Sequence, residues 1–143
     1  MSSNIAVIVS RFNQEITAKL LEGALEALAK QGIPENQIFH YEVPGAYEIP
    51  LLAQALLNKP EIVGVIALGA VIRGETPHFD YVAGESARGL MDVMLRTGKP
   101  IANGILTTDN EEQAWDRVGG NHGHKGSDAA EALIEMIDLL SEV

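Results

Sequence analysis

The chain has 143 residues, of which 46% are apolar and 21% are charged, the size and composition of one globular domain, which we expect to span residues 1–143. Its net charge of −10 opposes binding to nucleic acid or to an anionic membrane surface, because the long-range field repels phosphate. The absence of cysteine excludes disulfides, thiolate metal sites and a cysteine nucleophile.

Hydropathy gives no sign of a membrane span or an export signal. The longest uncharged apolar stretch, Ile62 to Ile72, has 11 residues, whereas a transmembrane helix needs about 20. The first residues, Met-Ser-Ser-Asn, have neither the basic flank nor the apolar core of a signal peptide. We therefore expect a protein of the reducing cytoplasm.

In the first half of the chain, short β-branched apolar runs alternate with longer amphipathic segments. The run Ile5 to Val9 is apolar at every position, which is typical of a parallel strand covered on both faces. An apolar stripe predicts a helix from Ile16 to Gln31, ended by Gly32. A second strand from Gln37 to Val43 and a short helix from Pro50 to Leu57 follow.

The second half repeats this alternation, with Asp109 as the expected N-cap of a short helix. Gly64 and Gly69, inside the third strand, indicate the close approach of another backbone. The predicted elements, in order, are a strand from Ile62 to Val71, a helix from Val82 to Thr97, a strand from Pro100 to Thr107, a short helix from Glu111 to Arg117, a glycine-rich loop at 119–124, and a helix from about Ser127 to Ser141.

Four parallel strands joined by right-handed helical crossovers predict an α/β fold, a three-layer α/β/α sandwich with the flavodoxin-like strand order 2-1-3-4. Ligands of such sheets bind beyond the carboxyl ends of the strands. The segments there are 10–14, 44–48, 72–80 and 107–110. They carry a polar and aromatic set of candidate site residues: Arg11, Phe12, Asn13, Glu48, Arg73, Glu75, Thr76, His78, Phe79 and Asp80.

Within this set, His78 stands where the third strand leads into a helix. An imidazole can give or take a proton near neutral pH. Gly74, Thr76 and the helix N-terminus would offer N–H groups and a positive dipole end to an anion such as phosphate. Taken alone, His78 could equally be a capping or surface histidine.

Two cations, Arg117 and Lys125, flank the glycine-rich loop and could clamp a phosphate, although most such side chains are only solvated. The order of residues 123–127 does not fit a Walker P-loop. His122 and His124 lack a third ligand, so we expect no metal site. Neither a Gly-x-Ser-x-Gly elbow nor a Gly-x-Gly-x-x-Gly fingerprint is found.

Several segments together resemble one known family. They are Ser10 to Asn13, Val43 to Pro50, Ala67 to Tyr81, and Gly104 to Thr107 followed by Glu112-Gln113-Ala114. In order and spacing they resemble the 6,7-dimethyl-8-ribityllumazine synthase family, and the similarity runs from about Ile5 to Leu140. The resemblance implies the condensation of 5-amino-6-ribitylaminouracil with 3,4-dihydroxy-2-butanone 4-phosphate to the lumazine, inorganic phosphate and two waters, without a cofactor or metal.

The resemblance also implies roles around the heterocycle. Phe12 would stack on the ring, and Glu48 would hydrogen-bond the ribityl hydroxyls. Asn103 stands where many relatives carry an aromatic residue that closes the ring pocket from the adjacent chain, which leaves that wall open to question. The remaining residues that would hold the heterocycle are Asn13, Ala46, Tyr47, Ala70 and Ile72.

At the phosphate end, the resemblance implies that His78 shuttles protons while the segment from Gly74 to Thr76 cradles the phosphate. Arg117 of a neighbouring subunit would bind the phosphate, Lys125 would line the same cleft, and Asp128 would orient the arginine. The partners implied are small-molecule substrates and further copies of this chain, as a homopentamer or a shell of 60 subunits.

Two further expectations and one alternative accompany the resemblance. Only Met1 to Asn4 precede the first strand, so we expect no N-terminal strand of the kind that many relatives lend to a neighbour. The alternative is a binding protein that holds riboflavin or a lumazine without turnover, although a proton shuttle beside a phosphate clamp argues against it. The turn after the first strand also lacks the features of a flavodoxin or a receiver domain.

Overall fold

A computed structural model of the chain describes residues 3–143. Short 3-10 turns at 35–37 and 46–48 lie between the main elements. In chain order the elements are β1 (Asn4–Ser10), α1 (Gln14–Lys30), β2 (Ile38–Val43), α2 (Ile49–Leu57), β3 (Ile62–Ile72), α3 (His78–Thr97), β4 (Ile101–Thr108), α4 (Glu111–Trp115), β5 (Val118–Gly120), β6 (Gly123–His124) and α5 (Lys125–Glu142).

The main sheet is parallel, with the strand order β2-β1-β3-β4. This confirms the predicted α/β fold and its flavodoxin-like order. Ile8 lies opposite Tyr41 of β2 and Ala67 of β3, so β1 is central and its side chains are buried on both faces. The carboxyl ends of β1, β2, β3 and β4 therefore meet along one edge of the sheet.

Helices cover both faces of the sheet. On one face, α1 and α5 pack on Val7, Leu68 and their neighbours, and on the other, α2 and α3 pack on Ile8 and Val65. Burying a side chain of this size stabilises the fold by about 1.5 to 3 kcal/mol. A Cβ on Gly64 would lie 2.9 Å from a methyl of Leu133 in α5, so the group that packs closely on this glycine is a side chain and not another backbone.

Several helix boundaries differ from the prediction. The third long helix begins at His78, four residues before the predicted start at Val82, because Pro77 has a backbone compatible with the turn that leads into it. Asn110, rather than Asp109, caps α4: its Oδ1 accepts the N–H of Gln113 at 2.8 Å. Among residues 3–143, no helix is long and apolar enough to cross a membrane.

The glycine-rich segment, predicted as a loop, folds as a small antiparallel hairpin of β5 and β6. Gly119 and Gly123 have φ of 107° and 76°, a region open to glycine but strained for most residues. The hairpin leads directly into α5, which begins at Lys125, two residues before the predicted Ser127. Nδ1 of His124 caps this helix, accepting the N–H groups of Gly126 and Ser127 at 3.1 and 3.3 Å.

Candidate functional site

A cavity of about 810 Å³ opens at the carboxyl edge of the sheet, between the segments after β1, β2 and β3 and the first turns of α3. This is the edge at which open parallel sheets bind ligands. Its walls are mainly apolar and aromatic with a few polar groups, as is typical of small-molecule sites. The lining residues are Phe12, Pro44, Gly45, Ala46, Tyr47, Glu48, Ala70, Val71, Ile72, Gly74, Thr76, His78, Phe79, Tyr81 and Val82.

A tightly hydrogen-bonded turn after β1 presents Phe12. The N–H of Phe12 donates to the carbonyl of Pro44 at 3.1 Å. The next residue, Asn13, has a left-handed backbone with φ 63°, and its Nδ2 donates to the carbonyl of Ala70 at 2.9 Å. The turn is thus fixed to β2 and β3, while the Phe12 side chain remains 71% exposed. Asn13 does not line the cavity, because its amide nitrogen is engaged behind it.

The segment after β2 supplies the floor and one rim of the cavity. Ala46 is 4% exposed and forms part of the floor, whereas the ring of Tyr47 is 61% exposed. Glu48 follows in the same 3-10 turn, and its Oε1 would lie 3.3 Å from a Cβ placed on Gly45. Glycine at 45 therefore leaves the carboxylate room beside the cavity.

The segment from Gly74 to His78 forms the opposite rim. His78 is the first residue of α3, and its N–H donates to Oγ1 of Thr76 at 3.4 Å. The imidazole is exposed and, within the described part of the chain, forms no hydrogen bond, so both ring nitrogens are open to a ligand. The N-terminal end of α3 also brings a partial positive charge to this rim. Glu75, in the same segment, is exposed and does not line the cavity.

Beside this rim, Arg73 forms contacts that the sequence did not assign to it. Its Nε donates to Oδ1 of Asp109 at 3.0 Å, its Nη1 lies 3.5 Å from Oδ1 of Asp80, and its guanidinium carbon lies 4.4 Å from the centroid of the Phe79 ring. The hydrogen bond to Asp109 is the main cause that raises the pKa of Arg73. The sequence shows only an arginine and two acidic residues at separate positions. That these three side chains lie close together depends on the tertiary fold.

The two candidate phosphate-binding cations lie in a second, smaller groove. Arg117, Lys125 and Asp128 line about 320 Å³ of space beside the carboxyl half of β4, together with His122. Nη1 of Arg117 donates to the carbonyl of Gln113 at 2.8 Å. Among the described residues, this groove and the His78 cavity have no lining residue in common. Within one chain, therefore, the structure does not bring Arg117 and Lys125 to His78.

Asn103 also lies outside the cavity. It is exposed on the edge strand β4 and lines a groove with Met94, Met136 and Lys125. Its Oδ1 accepts the N–H of Ile105 at 3.0 Å, so the amide nitrogen is the part of this side chain that is left to contact another molecule. Since Lys125 and Asp128 line both this groove and the Arg117 groove, the two adjoin.

The histidines of the hairpin are engaged in other ways than metal binding. His124 caps α5 through Nδ1, and Nδ1 of His122 lies 4.0 Å from a carboxylate oxygen of Asp116. Across residues 3–143, no three histidine or acidic side chains form a group that could hold a metal ion.

Comparison with known proteins gives a consistent result. Residues 2–141 match the family model described as 6,7-dimethyl-8-ribityllumazine synthase. The chain is 51% identical over 139 residues to a 6,7-dimethyl-8-ribityllumazine synthase of Thermus thermophilus, covering 97% of this chain and 88% of the relative. It is also 51% identical, over 137 residues, to the protein of that name from Syntrophus aciditrophicus, covering 96% of this chain and 89% of the relative.

Proposed function

This chain belongs to the 6,7-dimethyl-8-ribityllumazine synthase family and condenses 5-amino-6-ribitylaminouracil with 3,4-dihydroxy-2-butanone 4-phosphate, and we propose that its large cavity is the site of this reaction. The observation that carries the proposal is the composition of one cavity wall and rim. An exposed aromatic ring, Phe12, and an unpartnered imidazole, His78, line the same space at the N-terminus of α3. A flat heterocycle and a phosphate ester need these two kinds of surface.

The ring substrate is held by the first half of the cavity. Phe12 stacks on the heterocycle, and the main chain at 46–47 and 70–72 contacts its edges. The Glu48 carboxylate accepts hydrogen bonds from the ribityl hydroxyls. The Phe12 ring is mostly exposed and its backbone is fixed by hydrogen bonds, which supports a stacking role because little ordering is needed on binding.

His78 moves the protons of the reaction. The 5-amino nitrogen of the uracil attacks the ketone carbon, His78 takes a proton from the nitrogen, and the ketone oxygen leaves as water to give an imine. A proton is then removed from C3 of the imine as phosphate leaves C4, and the resulting enol tautomerises to a ketone. The ribitylamino nitrogen attacks this carbonyl carbon and closes the second ring, and the carbonyl oxygen leaves as water. Proton transfer contributes about 10² to 10⁴ in rate, and positioning of two substrates up to about 7 to 11 kcal/mol.

The phosphate requires a cation that the cavity of one chain does not supply. Among the described lining residues there is no lysine or arginine, and the N–H groups at 74–76 with the α3 dipole provide only partial positive charge. Arg117 and Lys125 lie in the second groove. A neighbouring copy that places this groove over the cavity would complete the site, and repetition of such a head-to-tail contact closes a ring when the rotation between neighbours divides a full turn.

A stripe along α3 supports association between copies. Tyr81, Gly84, Arg88, Met91 and Leu95 are exposed and follow one another at spacings of three and four residues. This spacing is that of a helix seam that packs against other helices. Leu95 is 76% exposed in the isolated chain, and packing of this seam against another copy would bury it. We propose a ring of five copies with the α3 seams facing one another.

The test is complementation between two damaged variants. His78→Ala and Arg117→Ala are prepared separately and also co-expressed in equal amounts, and lumazine fluorescence is measured with both substrates. If each site takes His78 from one copy and Arg117 from the next, about a quarter of the sites in a random ring carry both residues. We expect co-expression to restore about a quarter of wild-type turnover, against about one hundredth for His78→Ala alone.

Two controls define the outcome. Mixing the variants after each has assembled should restore nothing, because the copies do not exchange. Met91→Glu, on the seam, should lower the assembly size in light scattering and abolish restoration. An active wild-type monomer, or a co-expressed pair no better than the sum of its parts, contradicts the shared site, and a wild type that binds lumazine without turnover contradicts the enzyme.

A further inference from the structure

The side chain of Arg73 connects the segment after β4 with the first turn of α3, at the rim of the cavity. Its neighbours in sequence, Ile72 and Gly74, line the cavity, whereas the guanidinium contacts Asp109, Asp80 and the face of the Phe79 ring. All three contacts use one planar group, with Nε and Nη1 on two different carboxylates. A guanidinium can form such a fork while stacking on an aromatic ring, and an ammonium cannot.

One end of this connection is fixed to the sheet. The N–H of Arg73 donates to the carbonyl of Thr108 at 2.8 Å, which extends the pairing of β3 with β4 by one residue. The N–H of Asp109 donates to Oε1 of Gln113 at 2.8 Å, and Gln113 is itself bonded to the Asn110 cap of α4. Asp109 therefore presents its carboxylate to Arg73 from a segment held at several points.

The other end belongs to the turn that carries the imidazole. Phe79 and Asp80 follow His78 directly in the first turn of α3, and Phe79 also lines the cavity. Pro77, at the N-cap position, offers no side-chain acceptor, and the hydrogen bond from the His78 N–H to Oγ1 of Thr76 is long, at 3.4 Å, so the first turn is only weakly capped. Arg73 connects this turn to Asp109 and to the paired ends of β3 and β4.

We propose that Arg73 is a positioning residue for His78: through Asp80 and Phe79 it holds the first turn of α3 so that the imidazole faces the reacting atoms. The inference rests on the proton-transfer role proposed above for His78. A misplacement of about 1 Å at a reacting group can lower the rate about 100-fold. Loosening one turn, with the remaining contacts intact, is expected to lower kcat about tenfold.

The test is a double-mutant cycle on the assembled protein. Arg73→Met is made in the wild type and in His78→Ala, and kcat is measured at saturating substrates. We expect Arg73→Met to lower kcat about tenfold in the wild type and to have no further effect in His78→Ala. Arg73→Lys should resemble Arg73→Met, because it retains the charge but not the fork. The matched control is Arg96→Met, which removes an exposed arginine paired with Asp92 at 3.3 Å on the same helix and should leave kcat within twofold.

A merely structural role gives a different result. It would lower kcat by the same factor in both backgrounds, which overturns the proposal. If His78→Ala keeps wild-type kcat, the proton-transfer role of His78 is contradicted. Amide hydrogen exchange then tests whether Arg73 holds the first turn of α3. Faster exchange at 74–82 in Arg73→Met, with 90–97 unchanged, supports the holding role, and unchanged exchange at 74–82 overturns it.

Discussion

Two helices of this chain begin beside a histidine, and the two rings are used in opposite ways. At the start of α5, Nδ1 of His124 accepts two backbone N–H groups, and the ring packs against α1 at Gly23. At the start of α3, the ring of His78 is exposed at the cavity and, within residues 3–143, forms no hydrogen bond. The first histidine stabilises the fold, while the second is left available for chemistry. The same residue type at the same kind of helix end thus has two functions, decided by what surrounds it.

The largest expected effect tests how closely the start of α5 is packed. A Cβ on Gly126 would overlap the backbone carbonyl of Leu20, and a backbone group cannot rotate away. Gly126→Ala is expected to destabilise the fold by about 3 kcal/mol or more, the upper range of overpacking effects, measured by urea unfolding.

The control for this change is Ala29→Val, which adds two methyl groups on the exposed side of α1. It should cost less than about 0.7 kcal/mol, the difference in helix propensity. If Gly126→Ala is as stable as the wild type, the tight contact between α1 and α5 is contradicted.

The next effect concerns the start of α3. His78→Ala should lower kcat about 100-fold, which corresponds to about 2.7 kcal/mol of transition-state stabilisation, and should leave the melting temperature unchanged because the ring is exposed and has no hydrogen-bond partner among the described residues. Steady-state kinetics and thermal unfolding measure the two quantities. His40→Ala, at an exposed histidine of β2, should leave both unchanged. A loss of stability in His78→Ala would show that His78, like His124, stabilises the fold, and would contradict the difference between the two.

An intermediate effect is expected at Phe12, on the other side of the cavity from α3. Stacking of an aromatic side chain on a heterocyclic base contributes about 1 to 3 kcal/mol. Phe12→Ala should therefore raise the KM for the aminouracil about tenfold, with the free energy of unfolding within about 0.5 kcal/mol of wild type because the ring is mostly exposed. The same truncation of Phe39, an aromatic of β2 that does not line the cavity, should leave this KM unchanged.

Much of the fold could be predicted because its strands are apolar on both faces. The predicted strand from Ile62 to Val71 differs from β3 by one residue at its end, and the expected flavodoxin-like strand order is the order observed. The predicted starts of α3 and α5 were wrong by four and two residues because their N-terminal signals are atypical. Pro77 precedes one helix and a histidine caps the other, whereas sequence rules look for serine, threonine, aspartate or asparagine.

The position of the site could also be predicted from the strand ends. Its separation into the His78 cavity and the Arg117 groove could not. Segments after consecutive parallel strands must meet at one edge, which explains why Phe12, Glu48 and His78 line one cavity. The distance between this cavity and Arg117 depends on how α4 and the hairpin fold back, and no short-range pattern encodes it. The partners of Arg73 were missed for the same reason, since Asp109 is 36 residues away along the chain.

The smallest effect returns to His124. Removing a side chain that caps a helix N-terminus costs about 1 kcal/mol, so His124→Ala should lower the free energy of unfolding by about that amount while kcat changes less than twofold. His124→Asn restores an acceptor at this position and should recover most of the loss. If alanine and asparagine destabilise the protein equally, the contribution of His124 comes from the packing of its ring on Gly23 rather than from the cap. If either variant lowers kcat as much as His78→Ala does, the two helix starts are not functionally distinct, because the ring that stabilises α5 would then also govern Lys125, the first residue of that helix.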